Sequence, residues 1–373
     1  MSQVVFHPQK LADFISLKRG HDLPENQRLP GDIPVVSSAG ITGFHNEAKC
    51  EGPGVVTGRY GTLGELHYVE ASYWPLNTTL YVDDFKGNDP RFVYYFLQTL
   101  DLAQFNGAGA VPGLNRNALA MIDVAVPKPN DQKIIAEQLT SFDLLADNLK
   151  RQIKILEEAT RLIYTEWFVR LRPPRSSTTI STNWHPATLE EAVSINPKTP
   201  CEAGKEAPFV PMTALSQTGM VIESIEQRAI GGGAKFQNGD TLLARITPCL
   251  ENGKTGFVQF LDDENPVASG STEFIVLRSR RVNPYWVYCL ARTEHFREFA
   301  IRSMSGADGR QRVSTDSLSQ YPVTIPPAEI LEDFEKAVGP MFEQIHTLTQ
   351  QIAALKSARD LLLPRLISGQ LRL

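Results

Sequence analysis

The sequence predicts an α+β protein in which two strand-rich domains are separated by two long helices. Three observations predict this fold. The chain repeats itself, each repeat ends in a long run of apolar residues at helical spacing, and each run follows a region of short apolar segments broken by Gly, Pro and Asn. We therefore expect two domains related by pseudo-twofold symmetry, held by an antiparallel coiled coil.

The repeat appears as two aligned blocks of sequence. Residues 78–94 recur as residues 272–288, shifted by 194 positions. Residues 107–127 recur as residues 306–326, shifted by 199 positions, so the second copy carries five additional residues between the blocks. A duplication of this length predicts two domains with the same topology.

Two runs of apolar residues, spaced alternately by four and three positions, predict the long helices. The first run consists of Ile135, Leu139, Phe142, Ala146, Leu149, Ile153, Leu156, Thr160, Ile163 and Trp167. The second run, shifted by 199 positions, consists of Phe334, Val338, Met341, Ile345, Leu348, Ile352, Leu355, Arg359, Leu362 and Leu366. Both runs lose their apolar character at the same place, Thr160 and Arg359, which two unrelated helices would not predict.

The order of the segments predicts the geometry of the helices. If the termini of the second domain lie close together, the two helices run antiparallel. A helix of roughly 35 residues is about 50 Å long, so we expect the two domains at opposite ends of a stiff rod. Gly339, Pro340 and Pro364 should each kink or interrupt the second helix.

The chain is expected to consist of five segments. In order, they are a domain at 1–128, a long helix at 129–170, a linker at 171–183, a domain at 184–326 and a second long helix at 327–373. Shorter helices are expected inside the domains after Pro90 and Pro284, at 91–103 and 285–300, because proline favours the first turn of a helix.

Composition excludes several classes of protein. The net charge of −5 argues against a protein that coats polyanions with its whole surface, so a nucleic-acid site must be a local patch. The four cysteines stand far apart, which indicates neither a disulfide framework nor a zinc site. The sequence has no signal peptide and no long apolar run, so we expect a cytoplasmic protein that does not enter a membrane.

Several motifs give the chain a resemblance to the specificity (S) subunit of type I restriction-modification systems. The resemblance covers nearly the whole chain. It rests on GRYGTLG (58–64), WPLNTTLYV (74–82), VPGLNRNAL (111–119), VPKPNDQKIIAEQL (126–139), YTEWFVR (164–170), LLARITPCLENGK (242–254) and ARDLLLPRLISGQL (358–371). One position departs from the family pattern: Gln132 follows the first domain, whereas Ile330 and Leu331 follow the second.

The resemblance implies a function and a set of partners. It implies two target-recognition domains that each read one half of a bipartite double-stranded DNA target, with the helices setting the spacing between the half-sites. It further implies that the chain is not an enzyme and holds no cofactor. It would dock two modification subunits, which bind S-adenosylmethionine and methylate adenine N6, and through them the restriction subunits, with ATP and Mg²⁺ also expected in the partners.

Two fragments favour a methyltransferase, and their context argues against it. Phe105, Gly107 and Gly109 spell a glycine turn used by adenine methyltransferases, but Pro112 follows where a nucleotide-binding turn should open into a helix. Residues 283–285 resemble the NPPY motif with one proline missing. We therefore expect no intrinsic catalytic activity.

Residues 278–312 contain eight arginines and three acidic residues, which predicts a basic patch in the second domain. Arginine can donate two hydrogen bonds to guanine or to a phosphate. The DNA-binding candidates here are Arg310 and Arg312 in a glycine-rich loop, together with Arg245 and Lys254 from the LLARITPCLENGK motif. Arg292 and Arg297, which alternate with acidic residues, are interpreted as part of a solvated helix face.

In the first domain the DNA-binding candidates come from the repeat. Arg59 and Tyr60 align with Arg245 and its neighbours, and Asn115 and Arg116 follow a glycine-rich loop. An alternative remains open for Arg59 and Arg245, namely a structural ion pair with a carboxylate inside the domain.

The helices carry more apolar residues than one helix partner can cover. The partner-binding candidates outside the main runs are Ile134, Leu145, Leu162, Phe168, Leu331, Leu361 and Leu363. Either helices of partner proteins cover them, or the domains fold back onto the rod. For the chain as a whole, the alternative to DNA recognition is a DNA-independent scaffold with two protein-binding domains, which the acidic net charge favours.

Overall fold

The computed structural model describes residues 4–105, 113–174, 183–307 and 309–371. Two features discussed above therefore lie partly outside the described residues. These are the glycine-rich loop, whose residues 106–112 are not described, and the linker, whose residues 175–182 are not described.

The chain forms two units, and each contains a strand-rich domain and part of both long helices. The first unit consists of Met1–Asp147 and Ala353–Leu373, and the second consists of Asn148–Ile352. The α+β class is confirmed. The segment boundaries expected from the sequence stay a prediction.

Among its described residues, the first unit contains nine strands in three sheets. The sheet orders are β2-β8-β5-β6, β4-β3-β7 and β1-β9. The strands are β1 (His7–Lys10), β2 (Ser16–Arg19), β3 (Ile33–Ser37), β4 (Gly40–His45), β5 (Gly54–Gly58), β6 (Leu66–Val69), β7 (Trp74–Pro75), β8 (Thr79–Asp84) and β9 (Asp123–Val126). The helices that begin in this unit are α1 (Leu11–Phe14), α2 (Pro90–Gln98), α3 (Arg116–Ala120) and the long α4 (Pro129–Tyr164).

The second unit repeats this plan with additional elements. Its strands are β10 (His185–Thr188), β11 (Val193–Ile195), β12 (Glu206–Val210), β13 (Glu226–Ala229), β14 (Ala234–Phe236), β15 (Thr241–Ala244), β16 (Thr255–Phe257), β17 (Ala268–Gly270), β18 (Phe274–Ser279), β19 (Met304–Ser305), β20 (Arg312–Val313) and β21 (Pro322–Ile325). Its helices are α5 (Leu189–Ala192), α6 (Pro284–Ala291), α7 (Glu294–Arg302), α8 (Thr315–Ser319) and the start of the long α9 (Ala328–Ile367).

Equivalent elements carry the duplication. The order β2-β8-β5-β6 recurs as β11-β18-β15-β16, and the pair β1-β9 recurs as β10-β21. The helix caps recur as well. The side chain of Asp89 accepts the Phe92 amide at the start of α2, and the side chain of Asn283 accepts the Trp286 amide at the start of α6. Both helices begin at the proline itself, one residue before the start expected from the sequence.

The long helices run antiparallel within each unit. In the first unit, Ile135 and Leu139 near the start of α4 share a core with Leu363 and Leu366 near the end of α9. In the second unit, the end of α4 meets the start of α9, where the Tyr164 and Phe334 rings lie 6.2 Å apart. The strand-rich domains join these contacts, so in each unit the domain packs on its helix pair.

Three sequence expectations about the helices were wrong. Phe342 rather than Met341 is the buried residue of its turn, because its ring packs against Phe257 at 4.9 Å and Tyr285 at 4.6 Å. The helix expected at 285–300 is two helices, because the Thr293 hydroxyl accepts the Phe296 amide and begins a new one.

The third correction concerns α9, which is not interrupted at Gly339, Pro340 or Pro364. The two prolines lie on its exposed side, and Gly339 is buried against the Tyr285 ring. Among the described residues, no helix is long and apolar enough to cross a membrane.

Candidate nucleic-acid interface

In the second unit, two arginines share one carboxylate. Arg245 follows β15, Glu273 precedes β18 and Arg312 begins β20, so the ends of three strands bring them together. Arg245 Nε lies 3.1 Å from Glu273 Oε2, and Arg312 Nη2 lies 2.7 Å from Glu273 Oε1. The hydrogen bonds from Arg312 hold the pKa of the Glu273 carboxyl below its usual value, so this group is ionised at neutral pH.

A groove of about 670 Å³ adjoins this group. Arg245, Lys198, Lys235 and Thr272 are among its lining residues. Lys235 is held in place, because its ammonium donates to the carbonyls of Gly231 at 2.6 Å and Gly233 at 3.1 Å. The groove is open and bordered by cations, which suits an extended polyanion.

The remaining candidates of the second unit have different surroundings. Lys254 donates to the Met212 carbonyl at 2.9 Å, so its ammonium also fixes a loop. Arg310 is exposed beside Arg312. The interpretation of Arg292 as part of a solvated helix face was wrong, because its guanidinium donates to the Gly253 and Gln217 carbonyls of the domain.

In the first unit, Arg59 occupies the position equivalent to Arg245 and has no carboxylate beside it among the described residues. The Leu114 amide donates to the Arg59 carbonyl at 3.0 Å, as the Val313 amide does to Arg245 at 2.9 Å. The Arg59 guanidinium lies over the Tyr60 ring, 4.5 Å from its centroid. Its Nη1 atom is buried and finds no hydrogen-bond acceptor in the described part of the chain.

Asn115 and Arg116 lie at the start of α3. The Asn115 side chain accepts the amides of Asn117 and Ala118, so it caps the helix. Arg116 is exposed at the first helical position. The structure therefore gives Asn115 a local structural role and leaves Arg116 open to solvent.

The partner-binding candidates on the helices divide into two groups. Ile134, Leu145, Leu162 and Leu361 are exposed, as expected, by 45 to 64% of their surface. Leu331 is half-buried, and Phe168 packs its ring 4.8 Å from Phe334. The expectation of a free surface was wrong for Leu363, because the first domain covers it and makes it part of the core. Covering by the domain therefore holds for Leu363. Covering of the exposed residues by helices of partner proteins stays a prediction.

Helix α4 also lines a cleft of about 430 Å³ in the second unit. Glu157 is buried at this cleft and accepts the Met220 amide at 2.5 Å. Burial raises the pKa of the Glu157 carboxyl above its ordinary value. This contact joins the helix to the second domain.

Sequence reasoning missed Glu273, Lys198 and Lys235. Glu273 had a signal, because it stands opposite Thr79 in the sequence repeat and is the one position of that aligned five-residue segment where a charge replaces a neutral side chain. Lys198 and Lys235 had none, because they lie in a part of the second domain where no repeat was recognised. In the described residues, no cluster of His, Cys, Asp and Glu could hold a metal ion.

A protein-family model matches the first part of the chain. Residues 6–158 match the type I restriction modification DNA specificity domain. This stretch is a member of that family. The resemblance to type I specificity subunits that the motifs carry is thereby confirmed.

Two sequence relatives and one solved structure match a larger part of the chain. The type I restriction enzyme MjaIX specificity subunit of Methanocaldococcus jannaschii is 26% identical over 314 residues, which cover 76% of this chain and 69% of the relative. The EcoEI specificity subunit of Escherichia coli is 30% identical over 230 residues, which cover 58% of this chain and 37% of the relative. The crystal structure of a type I S subunit from M. genitalium matches 98% of this chain and 97% of that chain with a TM-score of 0.61. Because the sequences are only 14% identical, this match supports the fold alone.

Proposed function

We propose that this chain is the non-catalytic specificity subunit of a type I restriction-modification complex, and that each strand-rich domain reads one half of a bipartite DNA target. The observation that carries the proposal is the pair Arg59 and Arg245. Both occupy the same backbone position in the duplicated fold, held by the same amide contact. Equivalent arginines in equivalent domains are suited to two half-sites, because arginine pairs with guanine or phosphate.

The partners follow from the exposed apolar residues of the helices. Ile134, Leu145, Leu162 and Leu361 would pack against two modification subunits, which would supply S-adenosylmethionine-dependent methylation of adenine N6. Restriction subunits that use ATP and Mg²⁺ would join through them. This chain would recognise the target sequence and would contribute no catalytic group.

Selection from a randomised duplex library tests DNA recognition. The full chain is mixed with both modification subunits, and the bound duplexes are sequenced. We expect enrichment of two short motifs at a fixed spacing. A library that stays random would contradict the proposal and favour the DNA-independent scaffold.

Single variants assign the half-sites. Arg59→Ala should weaken selection of one motif by about tenfold, and Arg245→Ala should weaken the other by about tenfold, because a bidentate contact discriminates by roughly 1–3 kcal/mol. Lys133→Ala is the control, because Lys133 is an exposed cation on α4 that only approaches Glu137 at 4.0 Å. Loss of both motifs in either arginine variant would contradict separate reading of the half-sites.

The docking surface is tested with an exposed leucine. Leu361→Ser should weaken co-purification of the modification subunits. Leu29→Ser should not, although Leu29 is exposed to a similar extent in the first domain. Equal binding by the wild type and Leu361→Ser would remove Leu361 from the proposed surface.

A further inference from the structure

The ion pairs around Glu273 leave one arginine partly unused. Arg312 gives Glu273 three hydrogen bonds, from Nε to both carboxylate oxygens and from Nη2 to Oε1. Arg245 gives it one, from Nε. The two terminal nitrogens of Arg245 find no acceptor among the residues that the structure describes, and Arg245 lines the groove beside Lys198 and Lys235.

The group formed by Arg245, Glu273 and Arg312 carries a net positive charge. Two guanidinium groups and one carboxylate leave one positive charge, and the groove adds the ammonium groups of Lys198 and Lys235. Glu273 therefore reduces the attraction for phosphate without abolishing it. Glu273 also fixes the Nε side of Arg245 before DNA binds. Less side-chain entropy is therefore lost when Arg245 contacts the DNA.

We infer that Glu273 is a positioning residue that aims the terminal nitrogens of Arg245 at a base edge of the second half-site. This inference rests on the proposed function and adds to it the residue that makes the contact selective. Arg312 serves as the second anchor, because it holds the carboxylate through both oxygens. The groove lysines attract the DNA backbone in every sequence, whereas the held guanidinium favours one base.

The first unit lacks this arrangement. The strand pairing places Thr78, one residue before the position given by the sequence repeat, at the equivalent of Glu273, because the Thr78 carbonyl accepts the Arg59 amide at 2.9 Å as the Glu273 carbonyl accepts the Arg245 amide at 3.0 Å. Thr78 carries no charge. Arg59 is instead stacked on Tyr60. The two half-sites should therefore respond differently to a single change at position 273, which provides an internal control.

The experiment compares Glu273→Gln with Glu226→Gln in the full chain with its modification subunits. Both variants remove one negative charge from the second domain, but Glu226 is exposed and, within the described part of the chain, its ion pair is with Arg228. Binding is measured to the duplex selected by the wild type, to duplexes altered in either half-site and to a scrambled duplex, over a range of salt concentrations.

For Glu273→Gln we expect selectivity for the second half-site to fall by about tenfold, while binding to the scrambled duplex becomes stronger and the first half-site is read as before. Glu226→Gln should change the affinity for all duplexes to the same extent and leave the selectivity for both half-sites unchanged. Arg245→Lys, which keeps the charge and loses the forked donor, should reproduce the loss of selectivity. Glu273→Asp, which keeps the charge, should restore part of it.

The outcomes separate the inference from the proposed function. If the wild type selects two motifs and Glu273→Gln reads both unchanged, the inference is overturned and the function stands. If Glu273→Gln alters affinity equally for all duplexes, Arg245 contacts phosphate and the inference is again overturned. A wild type that selects no motif would overturn both.

Discussion

The two units solve the same packing problem with different chemistry. In the first unit, Asp143 on α4 accepts a hydrogen bond from Tyr95 at 2.6 Å and one from Arg359 on α9 at 2.6 Å. The position equivalent to Asp143 is Phe342, which is buried among Phe257, Tyr285 and Tyr288. At this pair of equivalent positions, the first unit thus joins its domain to its helices by hydrogen-bonded charged groups, and the second does so by aromatic packing.

The residues of these contacts have changed together. Arg359 has Thr160 as its equivalent, and Thr160 is buried, with its hydroxyl bonded to the Glu157 carbonyl at 2.8 Å. The two positions that carry a charged pair in one copy therefore carry uncharged residues in the other. An isolated charge at either half-buried position would cost several kcal/mol.

The junctions between domain and helix show the same difference. In the first unit, buried Gln132 accepts the Asp89 amide at 2.9 Å and donates to Pro127 at 2.8 Å. In the second unit, Leu331 replaces it, and Asn283 donates to the Leu331 carbonyl at 2.9 Å. The departure from the family pattern at Leu331 thus moves the donor to the other side of the junction and keeps the link.

The aromatic contact should give the largest effect on stability. Phe342→Ala removes a fully buried ring and should lower the free energy of unfolding of the second unit by about 3–5 kcal/mol. Met341→Ala, at the neighbouring half-buried position, should cost much less. Urea unfolding of both variants measures the difference. Equal losses of stability would mean that Met341 contributes to the buried contact as much as Phe342, as the sequence analysis expected.

The charged contact should come next. Asp143→Ala leaves Arg359 half-buried without its interhelical partner, and we expect a loss of about 2–3 kcal/mol in the first unit. Glu137→Ala is the control, because Glu137 is exposed and should cost less than about 1 kcal/mol. The double variant Asp143→Phe with Arg359→Thr imports the chemistry of the second unit. It should recover part of the loss, and a double variant less stable than Asp143→Ala would contradict the interchange.

The polar junction should have a smaller effect. Gln132→Leu copies the second unit into the first and leaves the Asp89 amide without its acceptor, so we expect a loss of about 1–2 kcal/mol. Leu331→Gln is the reverse change at a half-buried position and should be nearly neutral. Thermal unfolding of the two variants measures the difference. A larger loss of stability in Leu331→Gln than in Gln132→Leu would contradict this role of the junction.

The sequence predicted the features that depend on periodicity and on local preferences of single residues. The long helices and the short helices at Pro90 and Pro284 follow from residues close together in the chain, and the repeat follows from comparing the chain with itself. The contact between Asp143 and Arg359 could not be predicted, because the two residues are 216 positions apart and only the helix pairing brings them together. Helical periodicity also could not decide between Met341 and Phe342, since adjacent residues are about 100° apart and both fit within a wide apolar stripe.

The candidate interface divides in the same way. Arg59 and Arg245 were predicted as DNA-binding candidates because the repeat aligns them, and the structure shows that their backbone contacts are equivalent. Their surroundings were not predictable. For Arg245 the alternative of a carboxylate partner holds, through Glu273. For Arg59 it does not hold among the described residues, because a tyrosine ring occupies the place beside its guanidinium.

The smallest effect is expected at Glu157, whose equivalent in the first unit is the exposed Lys356. Burial raises the pKa of Glu157 above its ordinary value of 4.5 in the folded state, so the folded chain binds this proton more tightly than the unfolded chain. The wild type should therefore lose stability as the pH rises from below 4.5 through the raised pKa. Glu157→Gln keeps an oxygen acceptor for the Met220 amide and has no charge to bury.

Glu157→Gln should accordingly be more stable than the wild type at about pH 8, and this advantage should disappear as the pH falls below 4.5. Lys356→Gln, at the equivalent position, should show no such dependence over the same range. Urea unfolding of the three chains across that range measures the effect. An advantage of Glu157→Gln that grows as the pH falls would mean that the ionised carboxylate, rather than the protonated group, is the form that the Met220 amide stabilises.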